Sequence, residues 1–85
     1  MEHRAVFRIR SPHAGTIYQA VVPEMEAEVH PRSRAECFLE SPEILVLSVG
    51  ARDIAALRAS LNMWLRLVSV ADEMQALATG RGGIP

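Results

Sequence analysis

From Asp53 to Thr79 the chain contains neither glycine nor proline, and its apolar residues recur at helical spacing. Such a run predicts one helix of about 25 residues, opened by Asp53 as an acidic N-cap and stopped at Gly80. At about 100° per residue, Arg58, Asn62, Arg66, Ser69 and Glu73 gather in a single polar arc. Nearly everything else is apolar. Ile54, Leu57, Leu61, Trp64, Leu65 and Val68 make one stripe, and Met63, Leu67, Val70, Met74 and Leu77 make a neighbouring one. A surface helix needs a stripe only slightly wider than 100° to meet its own core. The excess points to a chain held by a partner.

The remaining residues spell short elements. Arg4 to Arg10 alternates, with Ala5, Phe7 and Ile9 on one side and Arg4, Val6, Arg8 and Arg10 on the other, which predicts a half-buried strand with an arginine-rich outer face. Ser11-Pro12 predicts a helix start, serine as cap and proline at the first helical position. Ala14, Ile17, Tyr18 and Val21 share its inner face, and Pro23 is expected to end it. Glu24 to Ser33, with three alternating glutamates and Pro31, reads as a solvated connection. Alternation resumes from Arg34 to Glu40, with Ala35, Cys37 and Leu39 opposed to Arg34, Glu36, Phe38 and Glu40. Ser41-Pro42-Glu43 supplies a turn into the apolar run Ile44 to Val49, so these two strands form a hairpin.

The expected fold class is therefore α+β. A three-stranded antiparallel sheet carries two helices on one face, in the order β-α-β-β-α. Residues 1–79 form a single domain, and Gly80 to Pro85 forms a flexible tail. At 85 residues the buried fraction is modest, so association with another chain is a natural supplement to stability. The sheet also leaves two edges open to pairing.

Composition narrows the function. The chain is 49% hydrophobic and 22% charged, a globular balance, and its net charge of −1 lacks the basic excess of a dedicated nucleic-acid binder. All nine basic residues are arginine, which suits interfaces and phosphates better than lysine. The one cysteine, Cys37, excludes an intrachain disulfide and fits a reducing cytosol. No uninterrupted apolar run reaches the ~18 residues of a bilayer span, and the charged first ten residues do not read as a signal peptide, so a cytoplasmic location is expected. His3, His13 and His30 stand apart, the adjacent Asp72 and Glu73 diverge on a helix, and no phosphate loop, metal spacing or nucleophile elbow occurs. No catalytic residue, cofactor or metal site is expected.

Particular residues carry a family likeness. The alternating first strand, Ile17-Tyr18 before Pro23-Glu24, Pro31-Arg32-Ser33 ahead of the hairpin, and above all Ala51-Arg52-Asp53 with Leu57-Arg58-Ala59-Ser60-Leu61-Asn62 resemble the Pcc family. That family supplies the small dimerisation subunit of the KEOPS (EKC) complex, and the LAGE and CTAG proteins are eukaryotic relatives. The likeness covers roughly residues 4 to 77, and the compact single domain is similar to archaeal members. It implies a non-catalytic scaffold that dimerises, as a homodimer or with a paralogue. It further implies docking on the ASKHA-fold threonylcarbamoyl transferase and support for threonylcarbamoyladenosine formation on ANN-decoding tRNAs, which bind mainly to the assembled complex.

On that likeness the partner-binding pool is Ile17, Tyr18, Val21, Leu57, Arg58, Leu61, Asn62, Trp64, Leu65 and Val68. Periodicity does not divide it between the chain's own sheet and a partner, and Trp64 stands equally for an interface anchor or a core residue. An alternative of another class is an RNA-binding module with Arg4, Arg8, Arg10 and Arg34 along one sheet face. Phe38 is the only stacking ring among those outward positions, fewer than a single-strand platform uses.

Overall fold

A computed structural model describes residues 2–28 and 32–78 of the chain. The elements run β1 (His3–Arg10), α1 (Ala14–Ala27), β2 (Ser33–Ser41), β3 (Ile44–Ala51) and α2 (Ile54–Ala78). This is the expected α+β order. The three strands form one antiparallel sheet in the order β1-β3-β2, so the last strand in sequence is the central one. Its composition explains why: Leu45, Val46, Leu47 and Val49 are an apolar run suited to burial on both faces, whereas β1 and β2 alternate with charge.

Both helices cover one face of the sheet. Leu45, Leu47 and Val49 of β3 point inward and are fully buried against Ala14, Ile17 and Val21 of α1 and Trp64 and Val68 of α2. Each of the buried leucine, isoleucine and valine side chains contributes about 1.5–3 kcal/mol relative to exposure. On the outer face the register sets Val46 between Arg8 of β1 and Phe38 of β2. Arg8 pairs with Glu40 across the central strand, and with these neighbours Val46 is 5% exposed despite facing away from the helices. A bulge between Leu39 and Ser41 breaks the β2 register near its end.

The long helix begins as its sequence predicts. Asp53 Oδ1 accepts a hydrogen bond from the Ala56 N–H at 2.7 Å, and the Asp53 carbonyl accepts from Leu57 at 3.0 Å. Asp53→Ala is expected to cost about 1 kcal/mol, read as a lowered midpoint in urea denaturation. The 25 residues extend about 37 Å at 1.5 Å each. By length and hydropathy alone α2 falls in the range of a bilayer-crossing helix. Here it packs on a sheet through Ser60, Trp64 and Val68.

The first helix departs from the sequence reading at both ends. It starts at Ala14, two residues beyond the expected proline, because Ser11 is still tied to the sheet end: its N–H donates to the Glu43 carbonyl at 2.9 Å. Ser11 Oγ instead accepts from the His13 N–H at 3.0 Å and closes a turn over Pro12. Pro23 does not end the helix, which continues to Ala27. Gln19, whose carbonyl loses its donor, and Pro23 are both exposed, so water can meet the freed group. Glu24 and Glu26 therefore lie on a helical turn rather than in a solvated connection. Residues 29–31, with His30 and Pro31, and the expected tail at 80–85 lie outside the described residues.

Candidate interaction surfaces

The structure divides the pool of candidate partner-binding residues that periodicity left whole. Ile17, Val21, Trp64 and Val68 are interior, between 0% and 4% exposed, and build the chain's own core. Trp64 therefore serves as a core residue of the single chain rather than as a surface anchor. Helical phase explains this: Ser60, Trp64 and Val68 recur every four residues and mark the line along which α2 meets the sheet.

Leu57, Leu61 and Leu65 lie one flank over, half-buried, with Ile54 at their head 52% exposed. Together with Arg58 and Asn62, both exposed, they line a shallow depression of about 300 Å³ along α2. Apolar side chains at i, i+3, i+7 and i+11 form a continuous helical seam, here edged by an arginine and an amide. Met63, Val70, Met74 and Leu77 remain exposed elsewhere on the same helix, the last two 63% and 62% so. The excess apolar surface inferred from the sequence is thus present on the folded chain.

Tyr18 belongs to a different place. It is half-buried on α1 and lines a second depression with Val22, Met25, Glu26, Ala35, Glu36 and Cys37, at the exposed edge strand β2. Cys37 is half-buried there, and burial raises its thiol above the ordinary range. A raised pKa lowers the thiolate fraction at neutral pH, so alkylation by iodoacetamide at pH 7.5 should be slower in the folded chain than in urea. Equal rates in the two states would contradict the burial.

The four arginines of the RNA alternative do share the outer sheet face, and all are exposed. Arg4 and Arg34 flank Gly50, and Arg4 reaches Ser48 Oγ at 3.4 Å. Arg8 is committed to Glu40, and Glu36 lies on the same face beside Ser48. The strip is therefore mixed in sign rather than uniformly basic.

One polar contact had no signal in the sequence. Ser11 Oγ donates to Asp72 Oδ1 at 2.7 Å, tying the junction between β1 and α1 to the far part of α2. Its partners are separated by 61 residues, so no local pattern announces it. Near it, His13 Nε2 is shut off from solvent and has no hydrogen-bond partner among the described residues. Among the described residues no three His, Cys, Asp or Glu side chains group as a metal set.

A three-stranded antiparallel sheet backed by two helices, with an apolar seam along the longer helix, defines a small α+β domain. The chain belongs to the Pcc1 family, whose model, described as transcription factor Pcc1, matches residues 2–76. This is the family of KEOPS subunits, which is not a known catalytic family. No curated protein matches the chain in sequence.

Proposed function

We propose that this chain is the non-catalytic dimerisation and scaffold subunit of a KEOPS-type complex in the cytoplasm. In this role it docks the ASKHA-fold threonylcarbamoyl transferase through α2 and supports threonylcarbamoyladenosine formation on ANN-decoding tRNAs. The observation that carries the reading is the open seam of Ile54, Leu57, Leu61 and Leu65 beside Arg58 and Asn62. A partner helix laid along it gains apolar burial from the leucines and hydrogen bonds from the rim, the usual arrangement of a helix held in a groove. Membership of a KEOPS subunit family supports trying the transferase first.

The test is light scattering on a sizing column, with the chain alone and mixed with the transferase of the same organism. A dimer that enters a stable joint peak supports the scaffold. A monomer that ignores the transferase overturns it. Arg4, Arg10 and Arg34, exposed and outside the ion pairs seen among the described residues, favour a second reading in which the outer sheet face touches RNA phosphate. That reading requires the isolated chain to bind tRNA at physiological salt, with affinity falling steeply as salt rises. Binding only after assembly favours the scaffold.

A further inference from the structure

Among the described residues the sheet has two unpaired edges, and they differ in charge. β1 carries Arg4, Arg8 and Arg10 with no acidic residue, whereas β2 carries Arg34, Glu36 and Glu40. Along β1 the arginines and Val6 point to the outer face, while Ala5, Phe7 and Ile9, opposite Val49, Leu47 and Leu45, point to the helix side. An open edge is a template for a further strand. Pairing of β1 antiparallel with its own copy is unfavourable: about Phe7 it opposes Arg4 to Arg10, and about Val6 it opposes Arg4 to Arg8. The edge is guarded against itself and matched in charge to acidic side chains.

The helix side of this edge is apolar and uncovered. Phe7 is 39% exposed although it faces the helices. α2 packs beside β1, and one contact fixes which flank it turns there: Asp72 accepts the hydrogen bond from Ser11, the residue that follows the strand. Leu61, Leu65 and Asp72 stand at i, i+4 and i+11, on one line of the helix, with Ile54 seven residues before Leu61. The seam of α2 is therefore the flank on the β1 side. A strand added to β1 sets its inward side chains beside Phe7 and beneath this seam, and its outward side chains beside the arginines.

We propose that the β1 edge binds an extended segment of another protein in which acidic and apolar residues alternate, and that this segment becomes a fourth strand of the sheet. Backbone hydrogen bonds hold such a strand, its apolar side chains cover Phe7, and its carboxylates meet Arg4, Arg8 and Arg10. Arg8 gives one nitrogen to Glu40 and keeps further N–H donors for a second carboxylate. The outer face as a whole is mixed in sign, with Glu36 and Glu40 on β2. That suits a strand confined to β1 better than a nucleic-acid backbone laid across the face. The proposal goes beyond the scaffold reading and does not depend on it, since it uses the backbone of a sheet edge rather than the helices.

The probe is a labelled, end-capped seven-residue peptide in which glutamate and valine alternate, a pattern that fits either strand polarity. Fluorescence anisotropy follows its binding to the full chain, a peptide of alternating lysine and valine serves as the control, and hydrogen exchange locates the site. Saturable binding of the glutamate peptide alone is expected, with exchange slowed in β1 and unchanged in β2. The double variant Arg4→Glu/Arg10→Glu is expected to weaken the glutamate peptide about tenfold or more and to admit the lysine peptide, since two attractive pairs become repulsive. Both positions are exposed, and circular dichroism checks that the variant keeps its fold. Equal binding of the two peptides, protection that falls on β2, pairing of the chain with itself through β1, or no saturable binding overturns the proposal. So does a single-stranded RNA that occupies the arginine face where the glutamate peptide does not bind. Each of these outcomes leaves the transferase test above unaffected.

Discussion

Replacing Trp64 by alanine is expected to cost about 3–5 kcal/mol of stability, at the top of the range for a single truncated core side chain. Trp64 is 3% exposed and sits in one cluster with Ile17, Val21, Leu47 and Val68, where both helices meet the inner face of β3. An indole buries about 150–250 Å², and its removal leaves a cavity that a sheet and two helices cannot close without moving. Domains of this size hold about 5–15 kcal/mol in total, so the variant should be partly unfolded near 37 °C. Urea denaturation followed by far-ultraviolet circular dichroism measures this without the lost fluorophore. A cost below about 1 kcal/mol would place the ring outside a packed core. The same variant is a poor probe of partner binding, because lost docking would follow from lost folding.

Changing Leu61 to glutamate should act on assembly instead. Leu61 is central in the open seam of α2, and a carboxylate there would be desolvated by any partner helix laid along Leu57 and Leu65. Truncation at a true hot spot costs about 2 kcal/mol or more, about thirtyfold in dissociation constant. Because Leu61 is half-buried, its change also disturbs packing. Ile54→Glu separates the two effects: the position is 52% exposed at the first turn of the helix, where an acidic side chain is electrostatically welcome. Its stability should stay within about 0.5 kcal/mol of the parent, while transferase affinity measured by calorimetry falls about tenfold. Unchanged affinity in both variants would move docking away from this seam.

Much of the fold was legible because each signal was local. The alternation in Arg4–Arg10 and Arg34–Glu40 depends only on a two-residue period, and both segments are strands with those residues on those faces. The long helix was legible for the same reason: Asp53 caps its own first turn, and no glycine or proline interrupts the next 25 residues. α1 was misread at the points where distant structure intervenes. Its start is delayed by the bond from Ser11 to Glu43, across the sheet end, and Pro23 is tolerated because it lies on an exposed face. The candidate surface was legible as a pool of residues, and Arg58 with Asn62 lies beside the seam. The contact from Ser11 to Asp72 was not, since it joins two segments that meet only after folding.

By itself the sequence determined the element order, the faces of the outer strands, the length and cap of α2, and the presence of more apolar helix surface than one core requires. Each of these follows from the spacing of neighbouring residues and the backbone geometry that spacing allows. Only the tertiary structure decided that β3 lies between β1 and β2, that Trp64 and Val68 turn inward while Leu61 is half-buried and Ile54 stays toward solvent, and that the two sheet edges carry different charge. A helix with several apolar stripes has no internal reason to choose which one faces its sheet. That choice is made by the shape and volume of Leu45, Leu47 and Val49 opposite it, and by the first helix competing for the same face.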